Sequence, residues 1–438
     1  MEVADGVLPP PNCSGQASIQ GDDVRITKVE GLLMSCPFEK PIRLTFYGGL
    51  RTILKRDAML IRVHTDTGIV GFAPGPAHVR AVHEIDSTIG PFLEGRDPLA
   101  WREYGFSARL ETQKTYHAVE VAVIDAAAKA EGVPMSSLLG GAKRNRIKCY
   151  GSAGMYMPPE GYAAEAAAVQ ALGFPAYKLR PAAGPEGDLR TTDAIRSATG
   201  PDFGIMLDCH GWWRMGDRSY SPATIQQLCK DLEPLNPYWV EEPLPPDDHA
   251  GYKRLSESQP LAVASGEHEP DEESFRDLIE SGGVDFVQMD VCCQGGFAMG
   301  QRVFAGAERQ GIRFAFHSWG TLLEVIAAAQ LGVCWDESVV EWLEYPLHSN
   351  DGKPGMYPFP VADEILTEPL QLEAGHVVMP DKPGLGVEVD ESVVERYPFI
   401  PGPWSIFQID SPPETLAVDG DHSVPWVDPS GAPLVSQQ

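Results

Sequence analysis

Positive charge is what this 438-residue chain is short of: 34 lysines and arginines face 62 aspartates and glutamates, a formal net charge of −28. So acidic a surface repels nucleic acid and anionic membranes, which removes both as partners. It does not remove a small anion, bound where a metal or a few basic side chains reverse the field locally. Cysteine is sparse too. The 8 cysteines stand singly apart from Cys292 and Cys293, with no CxxC pair, so neither a zinc ribbon nor a disulfide framework is spelled out and reduced thiols are expected. No run approaches the ~20 apolar residues of a membrane span. The opening MEVADGVLPPPNCSGQ has no basic stretch followed by an apolar one, so a soluble cytoplasmic protein is expected.

What the chain does have is an ordinary globular balance, 43% hydrophobic and 22% charged, over a length beyond the ~250 to 300 residues of one core. Residues 1–21 are rich in Pro, Gly and Ser and read as a disordered lead. Residues 22–146 read as an α+β domain. VRITKVEGLLM and AMLIRVHTDTGIVGFAPG alternate apolar and polar residues around a TDTG turn, and VEVAVIDAAAKAEG keeps helical spacing up to Gly132. Over 147–365 strands and helices alternate: IKCYGSA, PAYKLR, FGIMLDCH, YWVEE, LAVASGEH, VDFVQMD, IRFAFHS and VVEWLEY are eight strands separated by amphipathic segments. That count favours a closed parallel barrel over an open sheet. Residues 366–438 form a C-terminal segment whose Pro-rich tail either packs back on the first domain or trails in solvent.

The ends of those strands are where barrel chemistry sits. In order they carry Lys178 and Arg180, Asp208 and His210, Glu241, Glu267 and His268, Asp290, His317, and Glu344. Asp208, Glu241 and Glu267 each close an apolar run, and three converging carboxylates repel unless a hard cation such as Mg²⁺ joins them. His317 follows one strand and Asp290 ends its neighbour. A carboxylate on one imidazole nitrogen fixes the tautomer and leaves the other nitrogen as a base. Lys178 and Arg180, two apart, share a face and can hold a substrate carboxylate, and Lys178 can exchange protons if its pKa is lowered. His210 stands two beyond Asp208 and can protonate a leaving hydroxyl, or serve only as a rim histidine. Trp212, Trp213 and Trp319 read either as pocket walls or as barrel-rim packing.

From about residue 24 to 392 these motifs resemble the enolase superfamily, most closely its mandelate racemase branch: GIVGFAPG, VIDAAAKAEGVPMSSLLGG, YKLR, LDCH, WVEEPL, SGEHE, HSWG, EWLEYP and PDKPGLGVEVDE occur in order. The resemblance implies a modified (β/α)7β TIM barrel under an α+β capping domain made from both termini, with Mg²⁺ on Asp208, Glu241 and Glu267. It implies proton abstraction α to a carboxylate by His317 with Asp290, an enediolate stabilised by the cation, and Glu344 hydrogen-bonded to the substrate carboxylate. Family members are commonly oligomeric, so a homo-oligomer is expected. Two departures matter. Where the racemases carry Lys-x-Lys, this chain has Lys178-Leu179-Arg180, and guanidinium is a poor second base. Asp208-Cys209-His210, by contrast, is similar to the Asp-x-His of acid-sugar dehydratases.

The expectation is therefore a Mg²⁺-dependent acid-sugar dehydratase. His317 is the base, His210 the general acid, and Lys178, Arg180, His268, Glu344 and Trp319 meet the substrate. Its distal end is expected to be read by capping residues from Ser35 to Arg51, with Phe46 and Tyr47 at the mouth. A racemase, epimerase or lactone cycloisomerase using the same enediolate, and a non-catalytic acid-binding protein, remain alternatives.

Overall fold

A computed structural model describes residues 24–46, 49–181, 183–214 and 219–409. The expected disordered lead, Tyr47 and the end of the Pro-rich tail lie outside them. The alternating segments near the start become an antiparallel sheet: β1 (Ile26–Phe46) pairs with β2 (Gly49–Thr65), and β2 with β3 (Val70–Pro74) across the TDTG turn. This sheet packs on the helix Leu110–Glu131, which stops at Gly132 in the left-handed region (φ 67°), where glycine carries no steric penalty. Contact is backbone to backbone at Gly71, since a Cβ there would meet Ala122 O at 2.0 Å. Buried Asp125 joins three parts of the chain, accepting hydrogen bonds from Phe72 N (2.8 Å), Leu385 N (2.7 Å) and Lys129 Nζ (2.6 Å).

The eight expected strands all form: β4 (Arg146–Met155), β5 (Ala176–Arg180), β6 (Gly204–Asp208), β7 (Trp239–Glu241), β8 (Val263–Ser265), β9 (Phe286–Met289), β10 (Arg313–Phe316) and β11 (Val340–Pro346). They pair in parallel in chain order, and β11 returns to β4, so the barrel closes. A helix fills each of the seven connections, giving the (β/α)7β arrangement. Inside, each strand contributes one residue to an apolar plug: Tyr150, Ala176, Met206, Trp239, Ala264, Phe286, Ala315 and Trp342. Large and small side chains share this layer, so the barrel is filled rather than open.

The C-terminal segment does two things. Its hairpin β12 (Leu372–Glu373) and β13 (His376–Val378) first pairs with β4. The chain then crosses to the other domain, where β14 (Ser405–Ile409) pairs antiparallel with β2 and Trp404 lies over Arg51. The capping sheet is therefore completed by the end of the chain. Among the described residues no helix is long and apolar enough to cross a membrane.

Candidate active site

One step of two residues along each barrel strand leads from the apolar plug to the next inward position. There the residues are Ser152, Lys178, Asp208, Glu241, Gly266, Gln288, His317 and Glu344. The period of two keeps them on the same face, toward the C-terminal ends. Above lies a cavity of about 500 Å³. The barrel walls it with Arg180, Asp208, His210, Glu267, His268, Asp290, His317 and Trp319, and the capping domain closes it with residues of β2 and the turn after β3.

Lys178 is fully buried, its Nζ 2.7 Å from Glu241 Oε1, 2.9 Å from Glu344 Oε1 and 3.9 Å from Asp208 Oδ2. Burial works against its charge, but Glu241 and Glu344 raise its pKa well above the ordinary lysine value. Arg180 reaches Asp208 Oδ2 (3.2 Å) through Nε and donates to Ala153 O (2.7 Å). Its charge is likewise reinforced, by Asp208 against burial. Burial alone would raise the pKa of Asp208, yet His210, Arg180 and Lys178 hold it near 2.

Two imidazoles flank one carboxylate. His210 Nε2 lies 3.3 Å from Glu267 Oε1, and His317 Nε2 lies 3.3 Å from Glu267 Oε2. Gly266 lets Glu267 reach this place: its φ is 133°, and a Cβ there would meet Gln288 O at 2.4 Å. The other nitrogen of His317 faces Asp290 Oδ2 at 3.6 Å, ion-pair range but longer than a hydrogen bond. Asp290 Oδ1 is held by the backbone N–H groups of Cys292 and Cys293, both at 2.9 Å. Against the effect of burial, Glu267 and Asp290 push the His317 pKa up to about 10. Any cation that neutralised Glu267 would weaken the first of those influences.

The structure departs from the sequence reading in several places. Lys178 and Glu344 sit below the cavity and are not among its lining residues. They ion-pair with each other, and Glu344 Oε2 also accepts from Ser318 N at 3.1 Å, whereas Arg180 lines the cavity. Against burial, Glu241 and Glu344 reinforce the charge of Lys178, and the lowered pKa expected of it is tied to a cation bound beside them. Trp212 and Trp213 are packing residues, their indole N–H groups bonded to Asp188 (2.9 Å) and Glu242 O (2.8 Å), whereas Trp319 does line the cavity. Among the described residues the capping contribution comes from Arg51, the end of the expected stretch, on to Met59 and from Pro74 to Ala77; Tyr47 and the side chain of Phe46 lie outside the described residues.

Sequence reasoning missed three groups. Strand alternation places Glu242 on the opposite face from Glu241, but its backbone turns to φ 39° and brings the carboxylate back. There Glu242 Oε2 accepts from His210 Nε2 (2.6 Å) and His268 Nδ1 (2.8 Å). Gln294 takes the N–H of Asp290 on its Oε1 (3.1 Å) and donates to Gly266 O (2.9 Å) and Glu269 O (2.6 Å), bracing both sides of Glu267. Arg56 enters from β2. Only the EE doublet in WVEEPL offered any signal in the sequence.

The donor set suits a hard cation. Asp208 Oδ1 and Glu267 Oε2 are buried oxygens that make no well-formed hydrogen bond among the described residues, although His210 Nδ1 lies 3.1 Å from the first and His317 Nε2 3.3 Å from the second, and carboxylate oxygens are the donors a hard cation prefers. Glu241 is beside Asp208 in register on the adjacent strand, held by Lys178 and by Trp239 Nε1 (3.1 Å). Ligand atoms of His210, Glu242, Glu267 and His268 also lie within 4.8 Å of one another at the same mouth.

Comparison with known proteins agrees with this architecture. Residues 161–393 match the family described as enolase C-terminal domain-like, and residues 34–140 match the mandelate racemase / muconate lactonizing enzyme N-terminal domain. The chain is 29% identical to D-galactarolactone cycloisomerase of Agrobacterium fabrum, over 78% of this chain and 92% of that protein. It is 30% identical to a D-galactonate dehydratase of Ralstonia pickettii, over 77% and 90%. Among solved structures, 3,6-anhydro-D-galactonate cycloisomerase from Zobellia galactanivorans superposes with a TM-score of 0.71 at 28% identity, covering 85% of this chain and 99% of that one.

Proposed function

The chain belongs to the mandelate racemase/muconate lactonizing enzyme branch of the enolase superfamily, and from that premise we propose that it dehydrates a sugar acid with Mg²⁺ as its metal. The observation that carries this reading is the pair of imidazoles either side of Glu267, each 3.3 Å from it. Elimination needs one group to take a proton and another to give one to the departing oxygen, and both histidines can address a single bound substrate. A relative named as a dehydratase supports acid-sugar dehydration as the reaction class.

In this mechanism Arg180 holds the substrate carboxylate. His317, oriented by Asp290, takes the proton from C2. The electron pair released forms the C2=C3 double bond as the C3–O bond breaks, and His210 protonates the departing hydroxyl, which leaves as water. The enol then ketonises to the 2-keto-3-deoxy acid. Glu242 holds His210 and His268 in place. Mg²⁺, carried by Asp208, Glu241 and Glu267, would supply the positive charge that makes a proton beside a carboxylate removable. Arg180 cannot act as a second base, because guanidinium stays charged and Asp208 reinforces that. Two-sided proton exchange, as racemisation requires, is thereby disfavoured.

The test is product identity. Full-length protein with Mg²⁺ is screened against aldonic and aldaric acids in D₂O, and 2-keto-3-deoxy acid is expected. His210→Asn is expected to lose about 10²- to 10⁴-fold of that product while still exchanging the C2 proton. Undiminished dehydration by His210→Asn would overturn the assignment of the acid. Inversion at C2 with deuterium incorporated and no loss of water, in the wild-type enzyme, would mean an epimerase. A lactone opened or rearranged without loss of water would mean a cycloisomerase, the second reading, favoured by two relatives of that name.

A further inference from the structure

Arg56 is a charged group of the cavity wall to which this mechanism gives no task. It stands on β2, in the capping sheet, lines the cavity and is 7% exposed. Its Nη2 donates to the carbonyl of Trp319 at 2.9 Å. Around it are aromatic groups rather than carboxylates: the guanidinium carbon is 5.0 Å from the Trp319 ring, 4.8 Å from Phe359 and 5.6 Å from Tyr357, whose hydroxyl also accepts a hydrogen bond from it. Among the described residues no carboxylate comes within ion-pair distance of it. Neighbouring Asp57 is taken by Lys55 Nζ (3.0 Å) and Ser35 Oγ (2.6 Å). Glu324, whose field reaches Arg56, is spent on the N–H groups of Trp319 (3.3 Å) and Gly320 (2.8 Å). His348 nearby is kept uncharged, its pKa pushed down to about 3 by burial with Arg56 adding to the effect.

A buried guanidinium without a counter-charge is costly, and a planar fork of donors suits a carboxylate best. Arg56 and Arg180 line the same cavity and share one aromatic neighbour, so a single ligand can meet both. Trp319 carries Arg180 at 4.6 Å and Arg56 at 5.0 Å from its ring, so the two guanidinium carbons are no farther apart than those lengths laid end to end. The terminal carbons of an extended six-carbon chain are roughly 6 Å apart, from C–C bonds of about 1.5 Å. We infer that the cavity takes a sugar diacid, its reacting carboxylate beside Arg180 and its far carboxylate on Arg56. This rests on the sugar-acid reading above and narrows it from acids in general to aldaric acids, with Arg56 as the residue that selects them.

The test uses the full-length Mg²⁺-loaded enzyme and matched pairs of six-carbon aldaric and aldonic acids of the same configuration, with 6-phosphogluconate as a second kind of distal anion. For the best pair, the diacid is expected to exceed the monoacid in kcat/KM by about 10- to 100-fold, the worth of one charge-assisted hydrogen-bonded pair. In Arg56→Met that ratio should collapse to within about threefold, mainly through KM, and Arg56→Lys should keep part of it. A wild-type preference for the monoacid or the 6-phosphate, or an Arg56→Met enzyme that keeps the diacid preference, overturns the inference. Titration calorimetry of the same ligands into His317→Asn reads binding without turnover. If no acid yields a 2-keto product, the dehydratase reading fails alone. A diacid preference in binding that is lost in the Arg56→Met, His317→Asn double variant would still support the role of Arg56, and equal affinities would refute it. Should Arg56→Met fail to fold, the wild-type ratio and Arg56→Lys still decide.

Discussion

Two adjacent layers inside the barrel come from the same strands and the same face, yet one is oil and the other is charge. Met206 and Asp208, Trp239 and Glu241, Trp342 and Glu344, Ala176 and Lys178, Ala315 and His317 are each one inward step apart. In the lower layer the requirement is volume, met by aromatic contacts such as the edge-on Tyr150–Trp239 pair at 5.5 Å and the tilted Trp239–Phe286 pair at 5.0 Å. In the upper layer it is charge balance, met by Lys178, Arg180, His210 and His317 set among the carboxylates. The lower layer makes the floor on which the upper one can be held dry and close. Stability and chemistry should therefore respond to mutation separately.

The largest expected effect tests the upper layer. His317→Asn should lower kcat by about 10²- to 10⁴-fold, the usual contribution of a positioned base. Its melting temperature should stay near that of the wild type, since an amide fills much of the same space. Activity lost together with the fold would mean that the upper layer is structural and the separation is false. The converse comes next. Phe286→Ala removes a large side chain of the plug that bonds to no group of the mouth and should cost about 3 to 5 kcal/mol of stability, read as a lower denaturant midpoint. The molecules that remain folded should keep most of their turnover.

That separation also explains what could be read from the chain. A strand buried on both sides appears as an apolar run, so all eight strands were visible, and a run that stops at a carboxylate marks a mouth. Depth was not visible. Lys178 and Arg180 look equivalent in YKLR, but one inward step separates Lys178, just above the floor and below the cavity, from Arg180 on the cavity wall. Glu242 escaped because a single positive φ reverses the alternation that sequence reading assumes. Arg56 meets Trp319 across 263 residues, a contact set by how the capping sheet lies over the barrel and by no local pattern.

Charge balance in the mouth is sharpened by a carboxylate buried elsewhere. Glu120, where the capping helix meets the barrel, accepts from Phe297 N at 3.0 Å and has no cation within ion-pair distance among the described residues. Burial pushes its pKa up to about 7 from an ordinary 4.5. The unfolded chain ionises this group near 4.5 and the folded one near 7, so between those values the folded state binds more protons and stability falls as pH rises. The loss should reach about 3 kcal/mol by pH 8. In Glu120→Gln the difference in unfolding free energy between pH 5 and pH 8 should shrink by that amount. An unchanged difference would mean that the carboxylate is paired in solution, as those of the mouth are.

The smallest effect expected is also the one that asks how the two layers are kept in register. Gln294 touches none of the reacting positions, but its amide links the backbone of Asp290 to the carbonyls either side of Glu267, Gly266 and Glu269. Gln294→Leu keeps the bulk and removes all three bonds, leaving Asp290 N and two carbonyls to find other partners. The consequence should be a looser angle between His317 and Asp290 and a looser Glu267. Groups that orient a site from behind typically matter by about 10- to 100-fold, and here the lower end is expected, because Cys292 N and Cys293 N still hold Asp290 Oδ1. The loss should fall on kcat, with KM moving less than about threefold, since Arg180 and the cavity wall are untouched. A rise in KM with kcat preserved would show that Gln294 shapes the cavity rather than the base. No change in either would show that the strand ends hold their side chains in place without it.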